Sequence, residues 1–430
     1  MITNYNNLCD KRSYSERWPL VSGKRLFKVV DERSSDGTEE LLSVSHITGI
    51  TPRSQKNVTM FKSESLVGYK KCAVGDIAAN TMWTWQGAIG VSQYEGVISP
   101  AYNVYRQRSN NYNPRYLDML LREKHLVDVY HSISTGIRPS RLRLYPEPFM
   151  TITLPVPPRE EQDQIVRYLD WQVSKVNKLI AAKKKEIEFV KEIRDTQFAA
   201  CEGTKRVKLK HIVELLENFL IIDSEQHYQK TGMYNRGRGI FQRQAVNGSE
   251  MGDSKFQRII DNCILISGQF AWEGAAYITA EKDTKAVVSH RYYLLKPCGA
   301  PMPIEYIWAF LMSKRGLMEM DRCSHGAAGR NKPLNIREFL NVEIPIPKKD
   351  SEIVTLQKTV RALMTLNCYL AGQHDILNEL KSRIVSDVVT GQIDVRNMEI
   401  PDFEMVEETD TYESLDEDNA AEEDEEQEEE

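Results

Sequence analysis

The 430 residues carry 41% hydrophobic side chains, enough for two globular domains with cores of their own. The net charge of −6 hides two populations, because residues 399–430 hold 18 of the 62 Asp and Glu and none of the 56 Lys and Arg, leaving +12 on the rest. A basic body suits a polyanionic partner, and with no apolar run of roughly 18 residues and no apolar N-terminal core we expect a soluble, cytoplasmic chain without membrane span or signal peptide.

Taken in chain order, residues 1–157 mix β-like runs ("ELLSVSHI", "GVISPAYNVYR") with the helical stretch "PRYLDMLLREKHLVDVYH", in which Asn113 is a natural N-cap and Pro114 a natural first helical residue. An extended proline phrase follows, "LPVPPREEQDQIV" at 154–166. From there the apolar period changes: Val166, Leu169, Val173, Val176, Ile180, Lys183, Ile187 and Val190 advance by alternating three and four, the seam of a coiled coil. The segment 158–203 therefore reads as one long helix. Residues 204–347 again mix strands ("NCILISG", "AVVSHRYYLLK") with helix ("PIEYIWAFLMSKRGLMEM"). They end on a second proline phrase, "IPIPKKDSEIVTL" at 344–356. A second seam then fills 348–396: Leu356, Val360, Leu363, Asn367, Leu370, His374, Leu377, Lys381, Ile384 and Val388. The polar members are read as fixing register, and Gly372 as a weak or bent turn. Beyond 397 the chain is too charged to fold, and we read 397–430 as a disordered acidic tail.

The chain repeats itself. At an offset of 187–190 positions, "TWQGAIG" (84–90) meets "AWEGAAY" (271–277), "VISPAYNVY" (97–105) meets "VVSHRYYLL" (287–295), and Gly136, Leu144 and Phe149 meet Gly326, Leu334 and Phe339. An ordered series at nearly constant offset marks an internal duplication. The expected fold is α+β: two duplicated α+β domains, two long helices packed antiparallel, and the tail.

No catalytic constellation emerges. "RGRGIF" (236–241) lacks the strand and helix of a dinucleotide site and reads as a turn bearing arginines, and "NPRY" (113–116) is a helix cap rather than a methyltransferase motif. There is no phosphate loop, nucleophile elbow or HExxH. The seven cysteines form no metal-like cluster, so we expect reduced thiols and no metal site. What remains is a binder. Glycine-containing loops with Arg, Asn, Ser and Lys suit close approach to a duplex. The candidates are Arg53 in "TPRSQK"; Gly136, Arg138, Ser140 and Arg141 in "STGIRPSRLRL"; Arg236 and Arg238 in "NRGRGIFQR"; and Gly326, Arg330, Asn331 and Lys332 in "HGAAGRNKPLN".

Over residues 18–396 the chain resembles the specificity subunits of type I restriction–modification enzymes. The resemblance rests on the two-fold plan, on "LPVPPREEQDQIVRYLDWQVSKVNKLI" as a central conserved region, on "LKSRIVSDVVTGQIDVR" (380–396) as the end of a distal one, and on "GAIGVSQYEGVISPAYNVYR". It implies two target-recognition domains, each reading half of a bipartite, asymmetric double-stranded DNA site. It further implies that the helices set the half-site spacing and dock two methyltransferase subunits, with restriction/translocase subunits joining. This subunit would be non-catalytic and hold no cofactor, the assembled complex using S-adenosylmethionine, ATP and Mg. The second proline phrase departs from the pattern in lacking Pro-Arg-Glu-Glu-Gln. The alternatives are a DNA-independent helical scaffold, or a DNA methyltransferase with its own recognition domain, for which the chain has no room.

Overall fold

A computed structural model describes residues 14–46, 48–55, 65–136, 142–252, 254–298, 302–326, 332–348 and 350–406. The chain forms two compact units: the first runs through residue 179 and resumes at 377, and the second takes 180–376.

In the first unit the order is β1 (Leu20–Ser22), α1 (Gly23–Leu26), β2 (Phe27–Val30), β3 (Leu42–Ser45), β4 (Gly49–Pro52), β5 (Lys70–Cys72), β6 (Ile77–Ala79), β7 (Ile89–Val91), β8 (Gly96–Ile98), β9 (Asn103–Gln107), α2 (Pro114–Leu121), α3 (Lys124–Ile133), α4 (Pro146–Thr151), β10 (Thr153–Pro155) and the start of α5 (Arg159–Cys201). The main sheet is antiparallel, β2-β9-β6-β7; β3 pairs with β4, and β5 with β8. Phe27, Ile77 and Tyr105 from the sheet pack against Tyr116, Leu120 and Tyr130 of α2 and α3, all fully buried. As its sequence predicts, α2 starts on Asn113, whose side chain accepts from the Arg115 amide, with Pro114 in the first turn.

The second unit continues with β11 (Glu202–Lys208), β12 (Val213–Leu216), β13 (Phe219–Leu220), β14 (His227–Tyr234), β15 (Gly239–Gln242), β16 (Val246–Asn247), β17 (Phe256–Arg258), β18 (Ile264–Ser267), β19 (Ala276–Ile278), β20 (Ala286–Ser289), β21 (Tyr292–Pro297), α6 (Ile304–Leu311), α7 (Lys314–Arg322), α8 (Ile336–Phe339), β22 (Glu343–Pro347) and α9 (Asp350–Val389). Its sheet β12-β21-β18-β19 has the same order as β2-β9-β6-β7. The helix pair α6–α7 repeats α2–α3 at a constant offset of 190. The second sheet repeats too: β15-β14-β20-β17 corresponds to β4-β3-β8-β5, where the parallel bridge of Leu41 to Val97 stands for the parallel pairing of β14 with β20. The duplication is one of topology, down to strand direction.

The two proline phrases are the closing strands of their domains. β10 pairs antiparallel with β1, and β22 with β11, in two-stranded ribbons that tolerate prolines because a missing amide need not face a partner. Gln162 then stitches the first phrase to α2: its amide nitrogen donates to the carbonyls of Pro157 (2.8 Å) and Asn111 (2.9 Å), and its oxygen accepts from the Asn113 amide (2.7 Å). Its full burial explains the Gln of "PPREEQ".

The three-four seams are buried on both helices. Val166, Leu169, Val176, Ile180 and Val190 of α5 are buried, as are Leu356, Val360, Leu363, Leu370 and His374 of α9; Val173, Ile187, Leu377 and Ile384 are half-buried. In the first unit Ile165, Val166 and Leu169 share a core with Ile384, Val388 and Val389; in the second, Phe198 and Cys201 share one with Leu356 and Val360. The start of one helix thus meets the end of the other, which makes them antiparallel. α9 runs through Gly372 without interruption.

Each helix also takes an ion pair from a domain. Arg115 of α2 makes two 2.7 Å bonds to Asp170 of α5, and Glu305 of α6 accepts from Arg361 of α9 at 2.6 Å. Past α9 the chain does not leave the fold at 397, where the sequence suggests a tail begins. Gln164 donates to the carbonyls of Val395 and Met398, the Val406 amide donates to Ser174 Oγ (3.1 Å), and Asn177 Nδ2 donates to the Val406 carbonyl (2.8 Å). Two buried polar side chains of α5 thereby hold both backbone groups of one residue. The remainder of the acidic segment, 407–430, lies outside the described residues.

Candidate nucleic-acid interface

In the second unit three segments meet. The first is the 3-10 turn Ala271–Glu273, closed by Gly274 in the left-handed region (φ 76°). The second is the turn of the β14–β15 hairpin. The Arg236 amide donates to the Glu273 carbonyl (3.0 Å), the Gly237 amide to the Gly274 carbonyl (2.9 Å), and the Asn235 side-chain amide to the Glu273 carboxylate. Gly237 is left-handed (φ 68°), and a Cβ there would come within 2.8 Å of Trp308 and 2.7 Å of the Met312 sulfur, so only glycine fits. Arg236 is also left-handed (φ 60°), a conformation strained for a side chain with a Cβ, and its side chain is exposed. Arg238 folds back, donating from Nε to the Asn235 carbonyl (3.1 Å) with its guanidinium 5.2 Å from the Tyr234 ring centre. The third segment is the base of the loop after α7. There Ser324 bridges Leu334, whose amide donates to Gly268 (2.6 Å), and Lys332 Nζ sits 4.9 Å from the Trp272 ring centre and 3.4 Å from Asp321.

The first unit builds the same frame from other residues. Its 3-10 turn Thr84–Gln86 closes on Gly87 (φ 92°), Thr135 bridges Arg143, and the Leu144 amide donates to Thr81 (3.0 Å), matching Leu334 to Gly268. Trp85 stacks on Trp83 (6.3 Å between centres) and leans on His131 (5.6 Å), where Trp272 has a lysine. The β3–β4 turn carries left-handed Gly49 and is held by Arg122, which donates to the His46 carbonyl (3.0 Å) and pairs with Asp118 at 3.7 Å. Burial raises the Asp118 carboxyl above its ordinary range although Arg122 opposes it. Arg53 follows β4, half-buried, and its charge partly offsets the upward push of burial on the Tyr102 phenol.

Of the candidates read from sequence, Arg236, Arg238 and Lys332 gather around the Trp272–Gly274 turn. Gly136 and Gly326 are exposed beside the bridges that close equivalent loops. Arg53 stands apart at the end of its strand. Arg138, Ser140, Arg141, Arg330 and Asn331 lie outside the described residues. Sequence reasoning missed Trp85 and Trp272 as parts of the frame, although the repeat of "TWQG" and "AWEG" marked their positions. It also missed Glu273, which anchors the hairpin. Among the described residues no group of three His, Cys, Asp or Glu could hold a metal ion, and no helix is long and apolar enough to cross a membrane.

No family model matches this sequence, and no curated protein does. Among solved structures, the chain is similar to one from a structure of complex assembly and conformational transition of the type I R-M system, with 14% identity, a TM-score of 0.50, and 88% of this chain and 99% of the other covered. It also matches the HsdS subunit from Thermoanaerobacter tengcongensis (14% identity, TM-score 0.37, 88% and 98% covered) and the type I restriction–modification S subunit from M. genitalium (9%, 0.37, 86% and 96%). The first likeness shows that this chain has the fold of a type I restriction–modification chain, the family its sequence resembles.

Proposed function

We propose that the protein is the sequence-specific, double-stranded DNA recognition subunit of a type I restriction–modification complex. Each domain reads one half of a bipartite, asymmetric site, and α5 and α9 dock two methyltransferase subunits, through which restriction/translocase subunits join. The observation that carries this reading is the repetition of a domain topology on which the turns differ: one frame used twice with different residues suits two unlike half-sites. A +12 body supplies attraction to phosphates. The subunit itself orients and performs no chemistry, while S-adenosylmethionine, ATP and Mg belong to its partners. Exchanging residues 204–347 for the corresponding domain of another such protein should change one half of the methylated sequence and leave the other intact. A change in both halves refutes independent reading, and methylation that ignores the exchange refutes recognition by these domains.

A further inference from the structure

The hairpins β3–β4 and β14–β15 share no sequence pattern, yet they occupy one place in the duplicated topology, each running beside the equivalent strand (β8 or β20) and each seated against the end of the equivalent helix, at Arg122 and Met312. We propose that these two turns are the paired reading elements of the protein, and that Arg236 takes a guanine edge in the half-site of the second domain. The inference rests on the DNA-recognition reading above and adds to it a residue and a base.

Three observations carry it. The second hairpin is fixed rather than free: two backbone bonds to Glu273 and Gly274, the Asn235–Glu273 contact and the close seat of Gly237 on Trp308 leave its tip one position. A two-stranded ribbon is of a size that the roughly 12 Å major groove admits. At the tip, the chain places an exposed arginine at φ 60° between Asn235 and Gly237, where asparagine or glycine would fit without strain. A residue kept against its backbone preference is kept for its side chain, and arginine's planar fork matches the two acceptors of guanine. Arg238, tied back to Asn235 and Tyr234, positions the turn and does not read. The first hairpin has no arginine in Ser45–Gly49, so its half-site is read by other chemistry.

The test uses the full chain assembled with its methyltransferase subunits and a randomised duplex library. Arg236→Gly suits the backbone and preserves folding, and Arg236→Lys keeps the charge but loses the fork. The wild type should select a guanine at one position of the second half-site. Both variants should lose about ten- to a hundred-fold of discrimination at that position alone, with the first half-site unchanged; the lysine variant should retain the salt dependence, and the glycine variant should unfold no earlier than the wild type. Sequence-specific binding with an unaltered second half-site overturns the inference, as does a uniform loss of affinity over all sequences, which would make Arg236 a phosphate contact. A wild type that selects no sequence at all removes the recognition reading itself, a failure distinct from either.

Discussion

Arg115 and Glu305 stand at the same position of α2 and α6, and their partners Asp170 and Arg361 stand at matching places, to within one position, on the two long helices. The tie between domain and helix is the same in both halves with its charges exchanged. Duplication has kept an interaction, not a residue, which is why aligning identities does not reveal it. The two ties differ in solvation. Glu305 is 3% exposed beside a 71% exposed Arg361, whereas Asp170 is 12% exposed beside a 42% exposed Arg115.

That difference can be broken most strongly at Arg361. Arg361→Ala leaves a buried carboxylate with, among the described residues, Gln357 as its side-chain partner at 3.2 Å, and should cost the second unit about 3 kcal/mol in denaturant unfolding. Arg115→Ala should cost about 1 kcal/mol, because Asp170 lies nearer to water and its pair with the half-exposed Arg115 is the better solvated of the two. Equal costs would show that the two ties are energetically alike. Exchanging the charges of the first pair, Arg115→Glu with Asp170→Arg, should recover most of what either single change loses.

The left-handed glycines sharpen the same comparison. A Cβ on Gly274 would meet Leu317 at 2.9 Å and the Arg236 Cα at 3.3 Å, while one on Gly87 would meet Val127 at 3.3 Å. Gly274→Ala should therefore cost about 2 kcal/mol and displace the hairpin, against about 1 kcal/mol for Gly87→Ala, where the backbone strain is joined only by a side-chain methyl of Val127 that can give way. Amide exchange at Arg236 and Gly237 separates the two effects. Smaller still, and opposite in sign, Gly372→Ala should stabilise α9 by about 1 kcal/mol, since a Cβ there meets nothing within 4 Å and the helix is already formed; unfolding midpoints check it.

The smallest contrast is in acid. In the first unit the Ser34 hydroxyl and Lys71 hold the Glu39 carboxyl at about 2, below its ordinary 4.5; in the second, His325 and Arg322 lower Glu338. A lowered folded value means stabilisation that is present above 4.5 and lost as pH falls through the folded value, for Glu39 between 4.5 and about 2. Carboxyl titration by NMR should show both midpoints low, and Ser34→Ala should return Glu39 toward 4.5.

Much of this fold was legible because its signals are local. The three-four spacing of Val166 to Val190 predicts a buried face and finds one, and "TWQG" and "AWEG" fold into the same glycine-closed turn. The helical stretches 114–131 and 303–320 each split in two, since Arg122 and Met312 leave the helix just before a new N-cap, Glu123 or Ser313. What escaped is long-range. The equivalence of the two hairpins depends on parallel pairing between segments far apart in sequence, Leu41 with Val97 and Lys230 with Val287, and no local pattern encodes it. Nothing in the local sequence sets Ser174 and Asn177 apart from other polar positions of a helix, because their partner is the backbone of Val406, beyond the whole second domain and α9. "NRGRGIFQR" was readable as a turn with arginines, but not the left-handed strain at Arg236.

The compact units are not two successive stretches of chain: among the described residues the second is the run 180–376, set in sequence between the two parts of the first. Val388, Val389 and Val395 complete a core begun at Tyr14 and Trp18, and Val406 is clamped on α5. On the ribosome, therefore, the domain made first is finished last. For roughly 200 residues of synthesis, about 10 to 40 seconds at 5–20 residues per second, it must wait with one wall of its core missing, while the second domain can close using residues already in hand.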